Sequence, residues 1–122
     1  MDNNFHSVGI DIGASGVKGV LINGGGVLLT HKHETLAPGS QTAEAVLQVL
    51  LEKSDHKRED VRVTVTGIST DRIQFADLKK TALSCITRGA RYHFDKAQTV
   101  LDIGAETTTA ISLNANGKVL EY

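Results

Sequence analysis

The sequence has 122 residues, the length of one ordinary domain, and a formal net charge of −1. Hydrophobic residues make up 40% of it and charged residues 22%, which is typical of a globular protein, and the near-neutral charge argues against a broad nucleic-acid-binding surface. It contains no run of about 18 apolar residues, so we expect no membrane span.

The first third of the sequence predicts three consecutive strands. Apolar runs at 8–12 and 17–22 read as two of them, and residues 27–33 as the third. The turn before the third strand is Asn23-Gly-Gly-Gly26, whose residue types tolerate positive φ. The chain is therefore expected to open with a β-meander.

Two helices and a strand are predicted next. After the break Leu36-Ala-Pro-Gly39, Ser40 or Thr42 is the expected cap of the first helix. Alternating valines at 61–65 indicate a strand that is half exposed on one face. The second helix is expected from an apolar stripe that begins at Phe75. The positions of that stripe are Phe75, Leu78, Ala82, Cys85, Ile86 and Ala90.

Three more strands close the chain, at 99–103, 107–113 and 118–122, the last two flanking the turn signal Asn114-Ala-Asn-Gly117. The predicted order is β-β-β-α-β-α-β-β-β. That order favours an α/β fold with a mixed sheet covered by helices.

A short repeat links the two ends of the sequence. Asp11-Ile-Gly-Ala14 recurs as Asp102-Ile-Gly-Ala105, an offset of 91 residues, and at the same offset Asn23 meets Asn114 and Leu29 meets Leu120. The repeat predicts a second copy of one unit. That unit consists of three strands, the first two joined by a tight turn and the last two by a glycine-containing turn. Chance similarity between two hairpins is the alternative.

The repeated residues suit phosphate chemistry. An Asp at the end of a strand can hold hydrated Mg²⁺, and small residues after it let backbone N–H groups cradle phosphate oxygens. Lys18 can reach the same phosphates as a point charge. The alternatives are that Asp11 and Asp102 only terminate strands and that Lys18 is a solvated edge lysine.

A family resemblance follows from these motifs. The stretch Gly9–Lys18 resembles the first phosphate loop of the superfamily of acetate and sugar kinases, heat-shock chaperones and actin, and Asp102–Thr107 stands where its second loop belongs. Residues 83–90, Leu-Ser-Cys-Ile-Thr-Arg-Gly-Ala, followed by Thr99–Gly104, resemble the activator ATPases of 2-hydroxyacyl-CoA dehydratases and benzoyl-CoA reductases. The resemblance implies an RNase H-like fold.

The resemblance also implies roles. Such activators are homodimers that share one 4Fe-4S cluster and use ATP to drive an electron into a dehydratase or reductase partner. By position, Asp11 and Asp102 would organise Mg²⁺ and Cys85 would ligate the cluster. The residues placed at the phosphates would be Gly13, Ala14, Ser15, Gly16 and Lys18 in the first loop, and Gly104, Ala105 and Thr107 in the second.

The second loop departs from the family pattern, which is Gly-Gly-Gln-Asp-x-Lys in character. Ala105 adds a methyl group where backbone approaches phosphate, and Thr109 replaces a Lys. Glu106 brings a carboxylate near an anion, which is costly unless Mg²⁺ intervenes, but it is also the candidate general base. With Asp11 and Asp102 it completes the predicted catalytic set.

The family's length predicts that this chain is a half-length member, since full members continue for about as many residues again. Residues 1–98 are expected to form the RNase H-like N-terminal subdomain. Residues 99–122 are expected to be the first strands of a second, incomplete copy, or to complete the same sheet. Because open strand edges invite pairing, we predict a dimer.

Cysteine usage and the N-terminus predict a cytoplasmic protein. Cys85 is the single cysteine, which excludes an internal disulfide, and the first residues lack the basic and apolar regions of a signal peptide. On its apolar stripe Cys85 is either a small hydrophobe or, by the resemblance, a cluster ligand. A symmetric dimer offers two such thiolates where clusters usually take four.

Two functions remain open from the sequence. The leading one is a half-length, ATP-binding, activator-type module that needs a complementary half. The alternative is a non-catalytic assembly or regulatory module that kept the fold and lost nucleotide and cluster binding.

Overall fold

The computed structural model describes residues 5–35 and 38–122. The chain divides into two compact units, residues 1–80 and residues 81–122. The N-terminal residues before Phe5 and the first two residues of the Leu36–Gly39 break lie outside the described ranges. The subdomain boundary predicted after residue 98 stays a prediction.

The first unit is a five-stranded mixed sheet with one long helix. The sheet order is β3-β2-β1-β4-β5, in which β1 runs antiparallel to β2 and parallel to β4. Short 3₁₀ turns precede and follow β4. The elements are β1 (His6–Ile12), β2 (Gly16–Asn23), β3 (Gly26–Glu34), α1 (Gly39–Ser54), β4 (Val61–Gly67) and β5 (Leu78–Lys79). The predicted meander and mixed sheet are confirmed.

Helix α1 covers one face of this sheet and closes the core. A Cβ at Gly19 would lie 2.5 Å from Cγ1 of Val46 and 2.8 Å from Cδ1 of Leu50, so the helix sits directly on the strand at this glycine. The predicted caps are wrong: α1 starts at Gly39 after Pro38, and Ser40 and Thr42 lie inside the helix. The fully buried core residues include Val8, Ile10, Val17, Leu21, Val46, Leu50, Val63 and Val65.

A carboxylate fastens the segment that leads into β5. The N–H of Val63 donates to Oδ2 of Asp77 at 2.8 Å, and Nη2 of Arg58 donates to the same oxygen at 3.1 Å. These donors, the Val63 amide foremost, lower the pKa of Asp77, although partial desolvation acts in the opposite direction. The segment 73–77 before β5 is irregular rather than helical.

The second unit is a helix followed by a three-stranded antiparallel sheet of order β6-β7-β8. Its elements are α2 (Ala82–His93), β6 (Thr99–Ile103), β7 (Thr108–Leu113) and β8 (Val119–Glu121). Arg91 of α2 donates to the carbonyls of Ala97 at 3.0 Å and Ala115 at 2.9 Å. These bonds join the helix to the segment before β6 and to the turn between β7 and β8. The last strands thus form a sheet of their own.

The predicted start of the second helix is wrong. The helix begins at Ala82, where the Thr81 hydroxyl accepts the Ser84 N–H at 3.2 Å as a side-chain cap. The sequence places Leu78 in the helical stripe, but in the structure Leu78 belongs to β5 and pairs with Thr64 of β4. Gly89 lies inside α2, and among the described residues nothing beyond its chain neighbours and the helix's own backbone comes within 4 Å of where its Cβ would be.

The repeat seen in the sequence is also present in the hydrogen bonding. Asp11 pairs with Lys18 across β1 and β2, and Asp102 pairs with Thr109 across β6 and β7, an identical register at the offset of 91. The following turns match too, because Oδ1 of Asn23 and Oδ1 of Asn114 each accept the N–H two residues ahead.

The third strands of the two hairpin sets differ by one residue. Leu21 pairs with Leu29, whereas its counterpart Ser112 pairs with Glu121, so the sequence match of Leu29 to Leu120 is one position out of register. The reason is a longer second turn, in which the Asn114 N–H reaches the Lys118 carbonyl. That residues 99–122 begin a second domain copy stays a proposal, which the shared β6–β7 register supports.

Candidate phosphate-binding loops

The first loop, residues 13–15, joins β1 to β2 by a tight turn. The Gly13 N–H donates to the Gly16 carbonyl at 3.0 Å. Asp11 precedes the loop and Lys18 follows it. Nζ of Lys18 lies 3.0 Å from Oδ2 of Asp11, and both side chains are about half exposed. Since exposed ion pairs contribute about 1 kcal/mol or less, the pair matters for where it puts the two charges rather than for stability.

Gly13 is required by the closeness of this turn. A Cβ at position 13 would lie 2.7 Å from the Gly16 carbonyl oxygen and 2.9 Å from Nζ of Lys18. Any side chain there must push away either the turn or the ammonium group. Close packing of the turn therefore explains why the predicted glycine-rich loop has a glycine at position 13.

Thr35, just after β3, holds the loop from one side. Its hydroxyl donates to the Gly13 carbonyl at 3.2 Å and its N–H donates to the Ser15 carbonyl at 3.3 Å. Because N–H and C=O point in opposite directions in a trans peptide, the N–H groups of Ala14 and Gly16 are directed away from Thr35.

The outer side of the first loop is open. Ala14 and Ser15 are exposed, and within the described ranges no backbone hydrogen bond uses the N–H of either residue. Successive backbone N–H groups beside a lysine form a concave site suited to an anion such as phosphate. Phosphate binding by the first loop stays a prediction, with which these open N–H groups are compatible.

Gly67, at the end of β4, supports the loop from the neighbouring strand. Its φ of +102° lies outside the region that side chains accept, and a Cβ would collide with the Ile12 carbonyl. The next N–H, that of Ile68, donates to the same Ile12 carbonyl at 2.8 Å. Sequence reasoning missed the roles of both Thr35 and Gly67, because neither belongs to a motif with Asp11.

The second loop repeats the turn with different side chains. The Gly104 N–H donates to the Thr107 carbonyl at 2.8 Å, matching the bond of the first loop at the offset of 91. Asp102 is half-buried and faces Thr109 instead of a lysine. The residues exposed at the loop surface are Gly104, Ala105, Glu106 and Thr107.

The structure also places the single cysteine and the two histidines of β3. Cys85 is half-buried in the first turn of α2, where its N–H donates to the Thr81 carbonyl at 3.2 Å. His31 and His33 lie 6.3 Å apart between ring centroids. Across residues 5–35 and 38–122, no three His, Cys, Asp or Glu side chains gather closely enough to hold a metal ion.

Asp11 and Asp102 lie in different units of the chain. Their predicted position across a common cleft therefore stays a prediction. What the structure brings together is each loop by itself, Asp11 with residues 13–18 and Asp102 with residues 104–107.

A family model described as the BadF/BadG/BcrA/BcrD ATPase family matches residues 8–122 of this sequence. The chain belongs to this ATPase family. The resemblance inferred from the two loops and the cysteine helix is thereby confirmed.

Two relatives of this family member are named as activators of dehydratases. The 2-hydroxyisocaproyl-CoA dehydratase activator of Clostridioides difficile is 30% identical over 119 residues, and the match covers 97% of this chain and 45% of that protein. The activator of lactoyl-CoA dehydratase of Anaerotignum propionicum is 28% identical, with 97% and 46% covered. This BadF/BadG/BcrA/BcrD family member thus spans about half the length of the curated relatives it matches.

A solved relative confirms the fold class. The Clostridium difficile activator of 2-hydroxyisocaproyl-CoA dehydratase, with bound ADPNP, superposes with a TM-score of 0.88 at 29% identity, covering 96% of this chain and 44% of that one. The α/β fold of actin-like ATPases predicted from sequence is therefore correct for this family member. None of the described helices is both long and apolar enough to cross a membrane.

Proposed function

We propose that this chain is a half-length ATP-binding module of the dehydratase-activator type. One observation carries the proposal: the same phosphate-loop turn, Gly13 to Gly16 and Gly104 to Thr107, recurs at one offset in a chain of an ATPase family. The solved relative with bound ADPNP, an ATP analogue, gives the ligand class.

In this proposal the first loop binds phosphate. The exposed N–H groups of Ala14 and Ser15 face the phosphate oxygens, and Lys18 supplies the positive charge. In the absence of an anion the Lys18 ammonium is held by Asp11 at 3.0 Å. Asp11 therefore positions the lysine as well as serving as a candidate ligand.

The second loop would provide the metal-facing carboxylate. Mg²⁺ prefers carboxylate and water oxygens, which fits Asp102, since Thr109 opposite it brings no competing cation. Bound Mg²⁺ supplies charge neutralisation at the phosphates. Glu106, exposed on the same loop, is the candidate general base that takes a proton from the attacking water.

A 4Fe-4S cluster does not fit the residues of this chain. The sequence has one cysteine, so a homodimer provides two thiolates, whereas such clusters usually take four. We therefore derive no electron-transfer step and keep Cys85 only as a candidate ligand beside thiolates from outside these 122 residues. A dehydratase partner and a cytoplasmic location stay part of the proposal.

A second candidate function is supported by the second loop. Ala105 adds a methyl group and Glu106 a negative charge at the place where a phosphate would approach. A non-catalytic assembly module that kept the fold and lost nucleotide binding would show these changes. The titration below distinguishes the two functions.

Isothermal titration of the chain with Mg-ATP is expected to show saturable binding that Asp11→Asn abolishes. The substitution keeps the shape of the side chain but releases Lys18 and removes a Mg²⁺ ligand. Asp95→Asn, an exposed aspartate outside both loops, is the matched control and should bind like the parent chain. Absence of heat up to millimolar nucleotide would favour the assembly module.

Replacing Thr35 by valine is expected to weaken Mg-ATP binding about fivefold, as the loss of one hydrogen bond predicts. The isosteric change frees the Gly13 carbonyl but keeps the backbone bond to Ser15. Thr35→Ser restores the hydroxyl and should restore affinity in the same titration. Equal affinity for valine and threonine would mean that the hydroxyl does not order the loop.

The chain is expected to form a homodimer, because both outer strands of the β6-β7-β8 sheet leave backbone groups unpaired among the described residues. Sedimentation equilibrium at rising concentration measures this directly. A single species at 13.0 kDa, the mass of one chain, would rule out the dimer.

A further inference from the structure

A buried hydroxyl group lies on the strand next to the first phosphate loop. It belongs to Thr66, the penultimate residue of β4, which is only 8% exposed. Its Oγ1 is fully buried and makes no hydrogen bond to any residue that the structure describes. Burying a hydroxyl without a partner is costly, so an exception of this kind calls for a specific reason.

The strand register places this hydroxyl in a row with the charged pair of the loop. Asp11 of β1 is paired with Lys18 of β2 on one side and with Thr66 of β4 on the other. Paired residues of neighbouring strands project from the same face of a sheet, and the strands lie about 4.8 Å apart. The Asp11 carboxylate therefore stands between an ammonium group and a hydroxyl group, each one strand away.

The carboxylate uses one of these two neighbours. Oδ2 of Asp11 lies 3.0 Å from Nζ of Lys18, whereas the Thr66 hydroxyl donates no hydrogen bond to it. Phosphate binding as proposed above draws the ammonium group toward the anion and away from Asp11. The carboxylate then loses its cation while a buried donor stands on the neighbouring strand.

We propose that Thr66 is a positioning residue for Asp11, whose carboxylate accepts a hydrogen bond from the Thr66 hydroxyl once Lys18 is drawn away. The inference rests on the proposed function for its trigger, a phosphate that engages Lys18. The exchange satisfies the buried hydroxyl and holds the candidate Mg²⁺ ligand at the loop. A hydrogen bond to an ionised acceptor is roughly twice as strong as a neutral one, which compensates Asp11 in part for the lost ion pair.

A melting experiment tests the contact without any nucleotide. Lys18→Met removes the ammonium group and so reproduces its departure from Asp11. Thr66→Val keeps the shape of the side chain and deletes the unpaired hydroxyl, so in the parent chain it should leave the melting temperature unchanged or raise it. In the Lys18→Met chain the same substitution should lower the melting temperature by at least about 4 °C, because Asp11 then depends on the hydroxyl.

Thr64→Val is the matched control for this comparison. Thr64 lies on the same face of β4, two residues earlier, but is paired with Gly9 instead of an aspartate. Its substitution should change the melting temperature equally with and without Lys18, and so should Thr66→Ser, which keeps the hydroxyl. An equal loss for Thr66→Val in both backgrounds would identify an ordinary structural hydroxyl and overturn the proposal, as would no loss in the Lys18→Met chain.

Calorimetric titration with Mg-ATP gives the second readout. Thr66→Val should weaken binding about tenfold, whereas Thr66→Ser and Thr64→Val should stay within about twofold of the parent chain. Parent-like affinity of Thr66→Val would overturn the proposal even if the melting temperatures agreed with it. If the parent chain bound no nucleotide, the proposed function would fail, and the melting comparison alone would decide whether Thr66 positions Asp11.

Discussion

Replacing Gly67 by alanine is expected to lower the free energy of unfolding by about 3 kcal/mol. Two costs combine at this residue. Its φ of +102° is strained for any residue with a Cβ, and that Cβ would collide with the Ile12 carbonyl. Relief requires β4 to move away from the end of β1, which would also strain the Ile68 to Ile12 hydrogen bond.

Urea denaturation followed by circular dichroism measures this loss. Gly89→Ala is the matched control, because it adds the same methyl group inside α2, where no described atom beyond its chain neighbours and the helix's own backbone lies within 4 Å of the new Cβ. There the change should stabilise the helix by up to about 1 kcal/mol. If Gly67→Ala proved as stable as the parent, the β1–β4 contact described above would be incorrect.

Replacing Gly13 by alanine is expected to weaken Mg-ATP binding at least about thirtyfold, a loss near 2 kcal/mol. The added Cβ meets the Gly16 carbonyl at 2.7 Å and Nζ of Lys18 at 2.9 Å. Either the turn opens, which rotates the Ala14 N–H, or the ammonium group leaves the loop. Both outcomes remove a group that the proposed phosphate site uses.

Gly104→Ala is the comparison in the second loop. There the nearest contact of a new Cβ is the Thr107 carbonyl at 3.3 Å, which a small shift can relieve. Its effect in the same calorimetric titration should be several-fold smaller than that of Gly13→Ala. Equal effects, or tighter binding after Gly13→Ala, would contradict the assignment of phosphate binding to the first loop.

The meander and the repeat could be predicted because their signals are local. Alternation along each strand, together with Asn23 and Asn114 at the turns, fixes two hairpin sets without any tertiary information. The start of α2 could not be predicted in this way. Phe75 and Leu78 fit a helical stripe, but the Val63 and Arg58 donors that hold Asp77 come from distant positions in the chain.

The candidate site was predictable to the same extent. Asp11, Gly13 and Lys18 are near neighbours in sequence, so their spacing predicts one loop. Thr35 and Gly67 reach that loop only because β3 and β4 return to the end of β1 and β2. Whether the loops of Asp11 and Asp102 serve one ligand depends on the arrangement of the two units, which neither motif encodes.

The two hydrogen bonds of Arg91 have a mechanical consequence. They fasten α2 to the strands that follow it, at the Ala97 and Ala115 carbonyls. Cys85 lies in the first turn of that helix and Asp102 lies one residue before the end of β6, so the thiol and the carboxylate belong to the same hydrogen-bonded unit. A displacement of β6 on ligand binding would therefore reach α2 through Arg91 as well as through the connecting residues 94–98.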